Sequence, residues 1–262
     1  MFSIILPVYN AEETIEETLN SIKNQDYTDF ELVIINDGST DDTIDVINAF
    51  INKHKKIDIN LISRPNKGFM FSLEEGIQIA KNKLIARIDS DDVWENNHLS
   101  IMLACFSNNN LVLAGSNAVL IDKSGKEIGT LEMPQNIEKA LLFDNPIIHS
   151  SVVFDKSAYQ RTKGYLKKRS EVNDIFADYR LWLEFLSIGK CVNSEVQTLR
   201  YRYLESSMSR KINKLQYYKE RLKLAFEAYS QIRKYHFYFL FCITKIVVRI
   251  LQHNLYEIIN PR

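Results

Sequence analysis

Between residues 3 and 88, short apolar runs take turns with stretches of helical period, and that alternation restricts the fold more than any other feature of the chain. Ser3 to Val8 reads as a strand. Ile15, Leu19 and Ile22 then mark one helix face at i, i+4 and i+7, and Phe30 to Ile35 is again continuously apolar. Ile44, Ile47 and Ile51 mark a second helix, Ile57, Ile59 and Leu61 alternate as a strand, Leu73, Ile77 and Ala80 mark a third helix, and Leu84 to Ile88 reads as another buried strand. The order β-α-β-α-β-α-β predicts a mainly parallel central sheet flanked by helices. Ligands of such sheets bind beyond the carboxyl ends of the strands, where the strand order reverses. The residues that follow Val8, Ile35 and Ile88 are therefore the first place to look for chemistry.

After Ile88 the chain reads Asp89-Ser90-Asp91-Asp92, three carboxylates in four positions. Like charges at that spacing repel, so folding alone would not select them. A hard divalent cation reverses the sign of the argument, because Mg or Mn takes one or two carboxylates and completes its shell with phosphate oxygens. The alternative is a solvated turn after a strand; within the metal reading Asp92 caps the segment that follows. The second tip is Ile35-Asn36-Asp37-Gly38-Ser39-Thr40-Asp41-Asp42: Gly38 permits a tight turn, Ser39 or Asp41 suits a helix cap, and Asp37 faces the same crevice, where one carboxylate suits a base N–H. At the first tip, Leu6-Pro7-Val8-Tyr9-Asn10, Pro7 interrupts the ladder and Tyr9 offers a flat ring to a base.

These three tips, with Arg64-Pro65-Asn66-Lys67-Gly68 between them, resemble the family 2 glycosyltransferases of GT-A fold over about the first 120 residues, in order and in spacing. The resemblance implies an α/β fold of nucleotide-diphospho-sugar transferase type with a C-terminal helical extension. It implies that Pro7 and Tyr9 lie against the nucleobase, that Asp37 bonds the base, that Asn66, Gly68 and Arg87 belong to the nucleotide-sugar site, and that Asp89 approaches the ribose. Asp91 becomes the ligand of a Mn or Mg ion bridging the diphosphate. One departure stands out: where the family often has Ala-Arg-Asn, this chain has Ser72-Leu73-Glu74, so an arginine is missing.

An inverting sugar transfer also needs a base for the acceptor hydroxyl. The segment Phe176-Ala177-Asp178-Tyr179-Arg180-Leu181-Trp182 resembles the family's acidic segment ahead of a helix, which assigns the base to Asp178, with Ala177 in place of the usual first acid. An ordinary helix-N-terminal aspartate is the plainer reading. His149, in Asn145 to Ser151, and Trp182 match acceptor-side elements. Leu199 to Tyr203 with Ser206, Ser207 and Ser209 resembles the segment that closes the catalytic domain, so that Arg202 and Ser209 are candidates for phosphate or acceptor contact. Edge-strand arginines that blunt a sheet edge are the alternative.

The resulting division is residues 1–209 for catalysis, with 1–120 for the nucleotide sugar and 121–209 for the acceptor, and 210–262 as the extension. Net charge is zero, but residues 1–100 hold eighteen acidic and nine basic side chains while 210–262 hold three and eleven. From Arg210 on, Leu215, Leu222, Ala225, Phe226 and Tyr229 recur at helical intervals among lysines and arginines, and Phe237 to Leu251 is the most apolar run of the chain. That run is too short and too charged to span a bilayer. An interfacial helix meeting anionic lipid fits it; the competing reading is a helix packed on its own domain or a homo-oligomer contact. The chain as read has no signal peptide, and Cys105, Cys191 and Cys242 lack metal or redox spacing, so the expectation is a cytoplasmic protein, peripheral on the inner face of the membrane. The expected partners are a nucleotide-diphosphate sugar, UDP by family frequency, and a saccharide or lipid-linked saccharide acceptor. The acidic crevice argues against nucleic acid. A haloacid-dehalogenase-type phosphohydrolase also uses Asp-x-Asp, though on its first strand, and a non-catalytic nucleotide-sugar-binding protein would keep the crevice without the chemistry.

Overall fold

The computed structural model describes residues 1–107, 110–166, 176–204, 214–232 and 236–259, the side chains of 236 and 253–259 excepted. The N-terminal alternation is realised as β1 (Phe2–Val8), α1 (Ile15–Lys23), β2 (Phe30–Asn36), α2 (Thr43–Lys53), β3 (Asp58–Ser63), α3 (Phe69–Ile79) and β4 (Leu84–Arg87). These strands run parallel in the order β3-β2-β1-β4. Every residue of β1 is buried because both faces are covered. Phe2, Ile4, Leu6 and Val8 share a core cluster with Ile15, Leu19 and Ile22 of α1. On the other face Ile5 meets α3 at Gly76, where a Cβ would come within 2.6 Å of the Ile5 side chain.

The chain then adds β5 (Val93–Trp94), α4 (His98–Cys105), β6 (Leu111–Ile121), β7 (Glu127–Leu131), α5 (Ile137–Leu141), a 3-10 turn (His149–Ser151), β8 (Val153–Asp155), α6 (Lys156–Gln160), α7 (Ala177–Ile188) and β9 (Lys190–Arg202). The sheet continues β4-β8-β6-β9-β5, with β7 on β6. The short β8 runs antiparallel to both β4 and β6, whereas β6 and β9 are parallel. Among the described residues the result is a nine-stranded mixed sheet whose parallel N-terminal run is the half that the sequence pattern predicts.

Strand order reverses between β1 and β4, and the backbone chemistry there opens a crevice. The β1–β4 ladder stops after Ile88 N–H donates to the Ile5 carbonyl at 3.3 Å. In a parallel ladder the next bond would be donated by residue 7 to the carbonyl of Ile88, and Pro7 has no N–H. The β1–β2 register, by contrast, runs on to Val8. Proline thus ends pairing on one side of a central strand only.

The described residues fall into two compact units, 1–135 with 147–203, and 136–146 with 204–262. Residues 136–146, counted above with the catalytic region, therefore cluster with the C-terminal helices α8 (Lys214–Gln231) and α9 (His236–Ile259). Within that second unit Tyr229 stacks on Phe239 with ring centroids 3.9 Å apart, and the Cys242 thiol donates to the Leu142 carbonyl at 2.5 Å. Every candidate site residue among those described lies in the first unit.

Candidate active site

The tips of β1 and β2 are tied together by short polar side chains. Asn10, in a left-handed conformation at φ +48°, accepts from Thr40 N–H at 2.8 Å, and its own N–H donates to Ser39 Oγ at 3.0 Å. This leaves the Tyr9 ring half exposed at the crevice mouth. Gly38 sits at φ +76°, and a Cβ there would lie 2.7 Å from the backbone nitrogen of Asn66, so only glycine lets the β2 tip approach the following loop. Asp37 is buried and committed to that loop. It pairs with Arg64 and accepts from Lys67 N–H at 2.8 Å and Gly68 N–H at 2.9 Å. Three of roughly four acceptor positions on the carboxylate are thereby used. Asn66 caps the same turn by accepting from Gly68 N–H at 3.1 Å. Arg64 also reaches Glu75 at 2.6 Å and Ser72 Oγ at 3.0 Å, while Leu73, at the place of the missing arginine, is fully buried.

Asp89, Asp91 and Asp92 bring one carboxylate oxygen each within 4.8 Å of one another. Burial and then the charge of Asp89 push the Asp91 acid up to about 6, and burial followed by the charges of Asp91 and Asp89 holds Asp92 well above the usual carboxylate range. Asp92 Oδ1 accepts from the main-chain N–H of Arg202 at 2.8 Å, and its buried Oδ2 has no partner among the described residues. Asp92 is therefore not the helix cap expected of it: that place, ahead of α4, belongs to Asn97, and the carboxylate is drawn inward by β9 instead. Hard oxygen donors, an orphaned buried oxygen and raised acids form a donor set short of positive charge, which a divalent cation fits.

A second group lines the other flank. Arg87 is 1% exposed, donates to Asp89 through Nη2, and leaves Nε and Nη1 without partners among the described residues. Its guanidinium lies 5.1 Å over the Phe69 ring. Phe69 meets His149 edge-on, His149 meets the Trp182 ring at 5.7 Å, and His149 Nε2 is 2.6 Å from the Tyr165 hydroxyl. Burial and then the neighbouring Arg87 charge hold the imidazole well below its ordinary pKa, so it is neutral at physiological pH. Trp182 is fully buried, and its Nε1 has no partner among the described residues. Asp178 stands one turn before it in the first turn of α7, partly exposed, with its carboxylate accepting from Tyr179 N–H at 2.7 Å.

Arg202 departs from its expectation. Rather than facing phosphate or acceptor, it is 3% exposed and its side-chain donors go to the carbonyls of Asp91, Asp122 and Lys123 and to Glu17. Ser206, Ser207 and Ser209 lie outside the described residues. Sequence reasoning also passed over Thr14, Thr18, Ser150 and Tyr165. The Thr14 and Thr18 hydroxyls lie 2.9 and 3.0 Å from the Ser90 carbonyl, Thr18 is 2.8 Å from that of Asp92, and Ser150 Oγ accepts from Asp89 N–H at 2.9 Å. The two threonines fall on one face of α1 at i and i+4, the only sequence signal that could have found them.

The model of the family described as glycosyl transferase family 2 matches residues 3–170. An Escherichia coli relative, UDP-Glc:alpha-D-GlcNAc-diphosphoundecaprenol beta-1,3-glucosyltransferase WfaP, is 32% identical over 212 residues, 80% of each chain. The matched stretch takes in 65% of the length of one Haemophilus influenzae relative and 79% of another. Among solved structures, Staphylococcus aureus TarS 1–349 with UDP-GlcNAc superposes at TM-score 0.71 with 17% identity, covering 95% of this chain and 72% of that one. A mannosyltransferase from Pyrobaculum calidifontis in complex with GDP-Man and Mn2+ also superposes at 0.71, with 15% identity, over 100% of this chain and 76% of that one. At those identities the likeness speaks for the fold.

Proposed function

From the premise that the chain belongs to glycosyl transferase family 2, we propose that it inverts configuration while moving one sugar from a UDP-sugar to a hydroxyl of a lipid-linked saccharide. The phosphohydrolase and non-catalytic readings gain no support from family or fold. The observation that carries the proposal is the acid triad at the strand-order reversal, beyond the end of β4.

In this reading Pro7 and Tyr9 border the base, the Asn66–Gly68 loop, which Asp37 holds through the N–H groups of Lys67 and Gly68, lies along the nucleoside, and Asp89 with Arg87 serves the ribose and phosphate side. Asp91 would hold a Mn or Mg ion, with Asp89 and Asp92 beside it, and a bound ion would stabilise charge on the leaving diphosphate. Asp178 takes the proton from the acceptor hydroxyl, whose oxygen bonds to the anomeric carbon as the bond to the diphosphate oxygen breaks. His149 and Trp182 line the acceptor side, the neutral imidazole being held by Tyr165. The UDP-GlcNAc complex of the structural relative and the diphosphoundecaprenol acceptor in the name of the curated relative support the choice of donor and acceptor class.

No helix among the described residues is long and apolar enough to cross a membrane. Yet α9 turns Phe239, Cys242 and Ile246 inward and leaves Phe237, Leu240, Phe241, Val247, Val248 and Leu251 exposed, with Lys245 and Arg249 among them. An aromatic and aliphatic face bordered by cations, in a segment with eleven basic and three acidic residues, suits peripheral contact with an anionic cytoplasmic leaflet. Flotation with phosphatidylglycerol liposomes tests this. A chain truncated after Ser209 should fail to float, and equal flotation would leave self-association as the use of that face.

The donor is tested by a thermal-shift series of nucleoside diphosphates with Mn, since a ligand that binds only the folded state raises its stability. UDP should shift the midpoint more than GDP. No shift with any nucleoside diphosphate would remove the donor reading.

A further inference from the structure

Arg202 ends β9, and it meets three segments remote from it in sequence. Its main-chain N–H donates to Asp92 Oδ1 at 2.8 Å and its Nε to the Asp91 carbonyl at 2.8 Å, 111 residues away. Nη1 reaches the carbonyls of Asp122 and Lys123 at 3.1 and 3.2 Å, and Nη2 reaches Glu17 on α1 at 2.5 Å, 185 residues away. Together with Thr14 and Thr18 on Ser90 and Asp92, this occupies all three successive carbonyls of the acidic loop. The Asp91 carboxylate itself accepts no hydrogen bond from another described residue.

A loop with three like charges tends to spread, because each carboxylate gains by moving away from its neighbours. Holding Ser90 and Asp91 by their carbonyls fixes the backbone there without consuming the Asp91 carboxylate. Arginine suits that task, since its planar fork supplies several donors in fixed directions, which a lysine ammonium cannot reproduce.

We infer that Arg202 is a positioning residue for the cation site, a tether from β9 and α1 that sets the main chain of Asp91 and so presents its carboxylate. The inference rests on the reading of Asp91 as the metal ligand. It assigns Arg202 a place behind the loop, away from phosphate and acceptor, and gives Glu17 a share in the same task.

The test is Mn2+ titration of the nucleotide-free protein, with free Mn2+ read by electron paramagnetic resonance, on wild type, Asp91→Asn, Arg202→Lys and Glu17→Ala. Outer partners of metal ligands typically change affinity by about 10–100-fold. Arg202→Lys should therefore weaken Mn2+ binding by roughly tenfold or more. Glu17→Ala, which removes a half-exposed side chain from α1, should move Mn2+ affinity in the same direction by a smaller factor, and it carries the test if Arg202→Lys does not fold. Wild-type Mn2+ affinity in Glu17→Ala and in folded Arg202→Lys overturns the tether, as does a raised KM for donor at unchanged Mn2+ affinity, which would return Arg202 to phosphate contact. If Asp91→Asn keeps wild-type Mn2+ affinity, the metal reading itself falls, whatever the other variants do.

Discussion

The acidic loop has two flanks that differ in how fully their polar groups are satisfied. Behind it, every side-chain nitrogen of Arg202 has an acceptor, and the threonine hydroxyls of α1 close on the loop carbonyls. On the other flank Arg87 and Trp182 bury three donor nitrogens with no acceptor among the described residues, around a neutral His149. A buried donor without a partner costs about 1–3 kcal/mol, more when charged. Folding accounts for the first flank and leaves the second unexplained, so the unsatisfied side is where the chain anticipates a ligand, and the satisfied side is scaffold.

The sharpest test of that contrast is Asp178→Asn, on the ligand side. A general base contributes about 10²–10⁴-fold to rate, so kcat should fall by that factor while the thermal midpoint and UDP affinity hold. A loss of UDP affinity of the same size would mean that Asp178 belongs to the donor site. Arg87→Met comes next. A hydrogen bond to a charged group is worth about 1.5–3 kcal/mol, which predicts donor affinity roughly 10–150-fold weaker. Because Arg87 also pairs with Asp89, its removal takes the cation away from the clustered acids, so the midpoint of the metal-free protein should fall as well. Wild-type donor affinity in the folded variant would show that Arg87 is scaffold and would erase the contrast. On the satisfied side affinity is spared. Thr18→Val leaves a buried carbonyl without its donor, so stability should drop by roughly 1–2 kcal/mol while UDP affinity barely moves, and urea unfolding reads the difference directly.

The same contrast explains what the sequence could disclose. β1 to β4 and the three helices between them were legible because each element is long enough to show its period, and because a strand buried on both faces is apolar throughout. β5 and β8 have two and three residues and are held by partners far along the chain, which no local window can register. The carboxylates of the site were legible because Asp89, Asp91 and Asp92 are neighbours whose repulsion is visible in the text of the chain. The role of Arg202 was not, since its side-chain partners stand 79 to 185 residues away. Asp92 misled for a related reason: a short acidic side chain before a helix has the look of a cap, and only the distant N–H of Arg202 turns it inward.

The smallest expected effect concerns Asp91 without metal, and its sign is informative. Burial and the Asp89 charge raise this acid from an ordinary value near 3.8 to about 6 in the folded chain. The folded state therefore holds the proton more tightly than the unfolded state, so this group favours folding most below about pH 4, loses that contribution as pH rises through 6, and costs a constant amount above it. Asn imitates the protonated acid. In EDTA, Asp91→Asn should melt higher than wild type at pH 8, by roughly 1 kcal/mol or about 2–4 °C after allowance for solvent screening, with the gap closing towards pH 4. Added Mn2+ should reverse the order, because only the wild type gains stability by binding it. An equal gap at both pH values would mean that Asp91 is not strained by its neighbours, and the unsatisfied flank would then end at Arg87 rather than take in the acids.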